Sequence, residues 1–217
     1  MLTVLYEDNH CLAVNKPARL LTMGDSTGDE SLVDQAREYI RQKYHKPGQV
    51  YVGVVHRLDR PVSGVVLLAR TSKGAARLSE QFREGSVTKV YQALVTGSCP
   101  EGQVTWRDWL LKDESRNTVR CVAEGTPGSR ESILSVRPLG RPGQRTLVEV
   151  TPLTGRSHQI RVQLSHHRLP IVGDAKYGST EPFREGCIAL HASALTFRHP
   201  TRDETITVAA PLPNSWR

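Results

Sequence analysis

The sequence has no hydrophobic run long enough to cross a bilayer as a helix. Its longest, Gly64-Val-Val-Leu-Leu-Ala69, falls far short of the roughly 20 apolar residues needed. It lacks a basic-then-apolar leader too, because the opening MLTVLYEDNH carries acids. Cysteine is scarce: Cys11, Cys99, Cys121 and Cys187 lie far apart, with no Cys-x-x-Cys and no His-paired metal spacing. That excludes a zinc-ribbon framework and suits reduced, mostly buried thiols in a cytosolic protein. There is no Gly-rich phosphate loop and no Asp-Phe-Gly, which excludes kinase-like chemistry around His56-Arg-Leu-Asp59. Internal repeats, low-complexity tracts and long linkers are missing as well.

What is present describes a packed globular chain. Of 217 residues, 38% are hydrophobic and 24% charged, enough to bury a core in one domain spanning 1–217. Lys and Arg number 29 against 22 Asp and Glu, a net charge of +7. Such an excess favours polyanionic partners, nucleic acid ahead of anionic membrane. The ordinary alternative is the Arg-rich composition of a GC-rich genome.

The pattern predicts short strands at Leu2–Tyr6 and Cys11–Val14, then a Gly/Asp/Ser loop over Thr22–Gly28. A helix follows, with Leu32, Val33, Ala36, Tyr39 and Ile40 on one face and Ser31 with Asp34 as its cap. Val50–Val55 and Gly64–Ala69 read as buried strands, and Ser72 as the cap of a helix facing inward through Ala75, Leu78 and Phe82. Val87–Val95, several strands between Val104 and Val150, Ile188–Phe197 and Thr205–Val208 complete the β content. Ser157–Leu164 is ambiguous in period; Ser157 as a cap favours a helix. Strands in runs with a few inserted helices imply an α+β fold with a mainly antiparallel sheet.

Three segments offer chemistry. In His56-Arg57-Leu58-Asp59-Arg60 a carboxylate sits between two arginines at a strand–loop junction, where it stays ionised and is partly withdrawn from water. By spacing alone a surface ion pair is the commoner reading. Lys89-Val-Tyr91 places an aromatic in a strand, which is usually sheet packing. Thr154-Gly-Arg156-Ser-His158-Gln159-Ile-Arg161 gathers two guanidiniums, an imidazole and an amide, a set suited to anions.

Taken together, these segments resemble the motifs of RluA/RsuA-type RNA pseudouridine synthases. His56-Arg-Leu-Asp-Arg-Pro-Val-Ser-Gly64 is similar to HRLDxxTSG, Lys89-Val-Tyr91 to K-x-Y, and Thr154–Arg161 to TGRxHQIR. Tyr6-Glu-Asp-Asn-His10 through Asn15-Lys-Pro17, then Gly173-Asp174 with Tyr177-Gly178, then His191-Ala192 and His199-Pro200, extend the likeness almost end to end. The resemblance implies isomerisation of uridine in rRNA or tRNA after base flipping. It implies Asp59 as nucleophile or general base, Tyr91 stacking on the uracil, and Arg161 as the ion-pair partner of Asp59. Arg57, Arg156, His158 and Gln159 would bind RNA. No metal and no organic cofactor are expected, and the expected state is a cytoplasmic monomer without membrane contact. A catalytically inactive RNA-binding protein on the same fold is the competing reading. Two positions depart from the pattern: Arg19 where Gly is usual, and Val62 where Thr is usual. The opening motif begins almost at Met1, which leaves no room for the N-terminal RNA-binding domain that many relatives carry.

Overall fold

Alternation of buried positions along short strands builds most of the molecule, whose computed structural model describes residues 2–213 and 216. In chain order come β1 (Thr3–Glu7), β2 (Cys11–Lys16), α1 (Leu32–Lys43), β3 (Gly53–Val54), β4 (Ser63–Ala69) and α2 (Ser72–Glu84). Next are β5 (Thr88–Val95), β6 (Val104–Asp113), β7 (Thr118–Val122), β8 (Arg130–Gly140) and β9 (Thr146–Pro152). Then follow α3 (Gln159–His166), a 3-10 turn at Ala175–Tyr177, β10 (Leu190–Arg198) and β11 (Thr205–Ala209). Strands in runs, antiparallel in every ladder described, with three helices inserted, make the expected α+β fold.

The chain divides into two compact units, Met1–Thr88 with Ala192–Arg217, and Lys89–His191. In the first the strand order is β1-β2-β4-β10, with β3 also beside β4 and β11 beside β10. Cys11 and Ala13 of β2 and Val65, Leu67 and Ala69 of β4 share one face, as a two-residue period requires. They pack with Leu78 of α2 and with Leu195 and Phe197 of β10. The intervening Leu12, Val14, Val66 and Leu68 are buried too, so both faces of these central strands are covered. Helix α1 begins with a complete capping box, Ser31 and Asp34 each accepting the other's backbone N–H. Such a cap is worth about 1 kcal/mol.

In the second unit the order is β5-β9-β8-β6-β7. Val162 of α3 packs with Leu110 of β6, Val119 of β7 and Tyr177. Three local expectations shift. Of Val50–Val55 only Gly53–Val54 pairs as a strand; Val50 and Val52 are buried while Tyr51 between them is half exposed. Helix α2 is capped by Thr71, not Ser72, because Thr71 holds the extended backbone from which its hydroxyl accepts the Gly74 N–H. Helix α3 does form, but His158 precedes it at φ 52 and Ser157 caps nothing.

Candidate active site

The loop carrying Asp59 joins β3 to β4 and is pinned residue by residue. At its start His56 accepts the Leu67 N–H at Nε2 (2.9 Å) and stacks on Phe82, 4.5 Å between ring centroids. An accepting Nε2 places the imidazole proton on Nδ1, so the ring serves here as a neutral strut. Leu58 is buried, and its backbone is clamped from both sides by Thr22. The hydroxyl donates to the Leu58 carbonyl (2.8 Å) and accepts the Leu58 N–H (3.2 Å). On the far side the Val62 N–H donates to the Asp59 carbonyl at 3.0 Å, closing a turn through Arg60 and Pro61. Lys16, fully buried, donates to the carbonyls of Pro17 (3.0 Å), Leu20 (2.8 Å) and Arg60 (3.4 Å). The Asn-Lys-Pro motif thus fastens one loop to another by main-chain contacts.

Held this way, Asp59 is half-buried while Arg57 and Arg60 are exposed. Arg60 turns to Asp29 (2.7 Å) and to the Arg19 carbonyl (3.1 Å). Of the two arginines flanking Asp59, Arg60 is thus spent on other partners, which spacing alone does not reveal. The motif ends on Gly64, where the chemistry of the backbone leaves no choice. Its φ is +118, and a Cβ there would lie 2.2 Å from the Ala192 carbonyl oxygen of β10.

Both departures from the family pattern are visible here. Arg19 occupies φ 75, the left-handed region that explains why glycine is usual at this position. Val62 is 3% exposed, and the loop is ordered instead by Thr22, Lys16 and the Asp59–Val62 turn.

The remaining predicted residues lie in the second unit. Tyr91 is half-buried on β5, opposite Val150 of β9. Arg161 is buried on α3 and forks onto Asp174, Nε to Oδ2 at 2.7 Å and a terminal nitrogen to Oδ1 at 2.8 Å. Its guanidinium also lies 5.0 Å from the centre of the Tyr177 ring. Tyr177 in turn meets His158 Nδ1 at 2.6 Å and accepts the Val119 N–H at 3.1 Å. Asp174 and Tyr177, three residues apart on the 3-10 turn, thereby orient Arg161 and His158. The Asp-x-x-Tyr spacing is visible in the sequence, but these roles depend on contacts that only the fold makes.

Gln159 is buried and turned back onto its own loop. Its Oε1 accepts from the Thr154 hydroxyl (2.9 Å) and the Arg156 N–H (3.0 Å), and its Nε2 donates to the Ile133 carbonyl (3.1 Å). This side chain holds together the loop ahead of α3, while the cap expected from Ser157 is not made. Arg156 is exposed and spends only its Nε on the chain, at the Glu131 carbonyl (3.2 Å).

Two groups of side chains bring three metal-ligand atoms within 4.8 Å of one another: Asp8, Cys11 and His199, and Asp108, Cys121 and His166. In the first, Asp8 is a hydrogen-bond hub. It accepts the N–H groups of His10 (2.8 Å) and Cys11 (2.7 Å), the Tyr6 hydroxyl (2.8 Å), Arg202 (2.7 Å) and His199 Nε2 (2.6 Å). The opening and closing motifs are thus tied together. Burial, reinforced by Asp8, pushes the Cys11 thiol up to about 12, and burial with Asp108 does the same to Cys121. Asp108 already holds Gln163 (2.7 Å) and His167 (3.0 Å).

Comparison with known proteins agrees with this geometry. The family model described as RNA pseudouridylate synthase matches residues 10–166. A ribosomal large subunit pseudouridine synthase C from Buchnera aphidicola (subsp. Baizongia pistaciae) is 37% identical over 96% of this chain, which spans 66% of that relative's length. A tRNA pseudouridine synthase C from Vibrio cholerae is 31% identical over the whole chain and 93% of its own. Among solved structures, human RNA pseudouridylate synthase domain containing 1 superposes with a TM-score of 0.75 at 28% identity, covering 97% of this chain and 83% of that one. A family match over most of its length, joined by relatives running nearly end to end, makes this chain a member of the RNA pseudouridylate synthase family.

Proposed function

We propose that this protein converts specific uridines in structured ribosomal or transfer RNA to pseudouridine, with Asp59 as the catalytic residue. The observation that carries the reading is the Asp59 loop, a half-buried carboxylate whose neighbours on both sides are fixed by Thr22, Lys16 and Gly64. Such anchoring suits a group that must meet its target within a few tenths of an ångström. The reaction breaks the bond between ribose and uracil N1, turns the base, and joins the same sugar carbon to C5. The C5 proton leaves and N1 gains one, so no group is added and no electron is transferred.

A uracil within a stack is out of reach, and flipping it costs a few kcal/mol. Arg57, exposed two residues from Asp59, is assigned to the space the base vacates. Asp59 acts on the ribose as nucleophile or on a proton as general base. Tyr91 stacks on the uracil, and Arg161 is assigned a charge-stabilising role in the same reaction. Arg156 grips phosphate. His158 and Gln159, engaged by Tyr177 and by the Thr154 loop, are read as positioning that segment, a revision of the direct RNA contact expected from sequence. The family's motifs run through both units, so 1–217 is read as one catalytic domain, a cytoplasmic monomer needing no cofactor. No helix among the described residues is long and apolar enough to cross a membrane.

The test is Asp59→Asn, which keeps the size of the side chain and removes its charge. It should fold, bind RNA within about threefold of wild type, and lose turnover by about 10⁴-fold or more, beyond what loss of a general base alone removes. Substantial pseudouridine formation by a preparation free of wild-type enzyme overturns the assignment. Chelator-treated enzyme assayed on prefolded RNA should keep its rate.

A further inference from the structure

Lys89 is the buried charge for which neither the fold nor the proposed reaction gives a use. It stands two residues before Tyr91 on β5, so the two side chains leave the strand on the same side. It is half-buried, and burial lowers the pKa of its ammonium. Among the described residues it has no hydrogen-bond or salt-bridge partner. Other lysines of the chain find partners, both the buried Lys16 and the exposed Lys43. Lys16 donates to three carbonyls, and Lys43 reaches Glu7 at 2.6 Å. A desolvated ammonium with nothing opposite it is a standing cost, and such cations are retained where a ligand supplies the counter-charge.

A second observation shows where that ligand would lie. A Cβ on Gly155 would sit 3.7 Å from Lys89 Nζ, so the turn at Gly155 borders the space beside the ammonium. Gly155 is not among the residues with positive φ, so its backbone does not require glycine. What the missing side chain provides is room, the usual reason for glycine where another chain approaches closely. The next residue, Arg156, leaves both terminal guanidinium nitrogens without a partner among the described residues. Glu131, whose carbonyl Arg156 uses, gives its carboxylate to Arg107 at 3.2 Å and does not neutralise the turn.

We infer that Lys89 and the Gly155–Arg156 turn form a phosphate-binding niche that takes a backbone phosphodiester of the RNA substrate. The ammonium supplies a point charge, the glycine lets the phosphate oxygens come close, and the Arg156 fork holds the phosphate from the solvent side. The inference rests on the reading of the protein as an RNA-modifying enzyme, and adds to it the lysine of the Lys89-Val-Tyr91 segment.

The probe is a fluorescent oligouridylate of about 20 nucleotides, its affinity followed by anisotropy over about 50–200 mM salt. Lys89→Met should weaken binding about tenfold at the low-salt end, as loss of one charged contact does. It should also reduce the slope of log affinity against log salt by about 0.7. Lys89→Arg should retain most of the affinity and the slope. Gly155→Ala, which the backbone tolerates, should melt like wild type yet bind several-fold more weakly. Thermal melting supplies the readout a structural lysine would not give: Lys89→Met should melt at or above the wild-type temperature, because an unpaired buried charge has been removed. Wild-type binding with an unchanged slope in Lys89→Met overturns the niche alone, and so does a lowered melting temperature with unchanged affinity. Failure of the wild type to bind the oligomer in a salt-dependent way counts against the RNA-modifying reading itself.

Discussion

Replacing Asp174 by Asn tests how the second unit holds its key arginine. The Arg161 guanidinium meets the Asp174 carboxylate through two hydrogen bonds of 2.7 and 2.8 Å, with the side chains only 7% and 2% exposed. Breaking a buried pair by removing one charge costs about 3–5 kcal/mol, since the other is left in a poor solvent. Asn keeps one acceptor oxygen, which puts the expected loss near the lower end, about 3 kcal/mol. For a chain of this size each kcal/mol moves the melting temperature by about 2–4 °C, so Asp174→Asn should melt about 6–12 °C below wild type. The loss should persist in high salt, because buried pairs are little screened. A second variant separates charge from packing: Arg161→Met combined with Asp174→Leu replaces the pair by apolar groups of similar bulk. Such replacements are often neutral, so the double variant should recover most of the stability lost by Asp174→Asn while remaining inactive. Melting within about 1 kcal/mol of wild type for Asp174→Asn would refute the argument. A double variant less stable than the single one would do the same.

Three further outcomes follow from the first unit. Gly64→Ala drives a methyl against the Ala192 carbonyl and forces a positive φ, and should cost about 3 kcal/mol or more, seen as loss of soluble folded protein or a large drop in melting temperature. Arg19→Gly relieves left-handed strain of about 1–2 kcal/mol but frees the unfolded chain, so urea unfolding should show a net gain of up to about 1 kcal/mol; a loss would mean the exposed Arg19 side chain contributes contacts. Asp8 is held at about 2 against an ordinary 3.8: burial pushes it upward, but the N–H groups of His10 and Cys11, then Tyr6 and His199, outweigh that. A depressed carboxylate stabilises the fold above about pH 4, and that stability, up to about 2 kcal/mol, is lost as pH falls toward 2. Asp8→Asn should flatten unfolding free energy against pH across that window, and an unchanged profile would assign the acid sensitivity elsewhere.

Local period exposed the elements whose residues choose their own conformation. Helix α1 was legible down to its Ser31–Asp34 box, because cap and apolar face both lie within one short stretch. The strand pairs around Cys11–Lys16 and Ser63–Ala69 were legible because their residues are apolar and β-branched. The failures share a cause. Val50–Val55 has strand composition, yet only two of its residues find a partner edge, and edge availability is a tertiary fact. Ser157 was a good cap by residue type, but the Gln159 N–H that it would accept donates to the Arg156 carbonyl (3.2 Å), and His158 precedes the helix at φ 52.

The same division governs the site. Asp59, Tyr91 and Arg161 were found through their motifs, whereas the residues that position them are scattered along the chain. Thr22 lies 36 residues from the Leu58 backbone it clamps, and Asp174 is 13 residues beyond Arg161. Asp8 lies 191 residues from the His199 it holds. The Tyr6-Glu-Asp8 motif near the start of the chain is a centre of hydrogen bonds to distant segments. Glu7 gathers Tyr39, Lys43, Tyr44 and Arg70, and Asp8 gathers the loop after β10. Lys89 is the reverse case. Its motif points to Tyr91, yet the half-buried Lys89 itself has no hydrogen-bond or salt-bridge partner among the described residues. A motif groups positions without saying what each one does. The bonds each side chain makes begin to separate them: Glu7 and Asp8 are spent on holding the fold, whereas Lys89 has no such partner among the described residues.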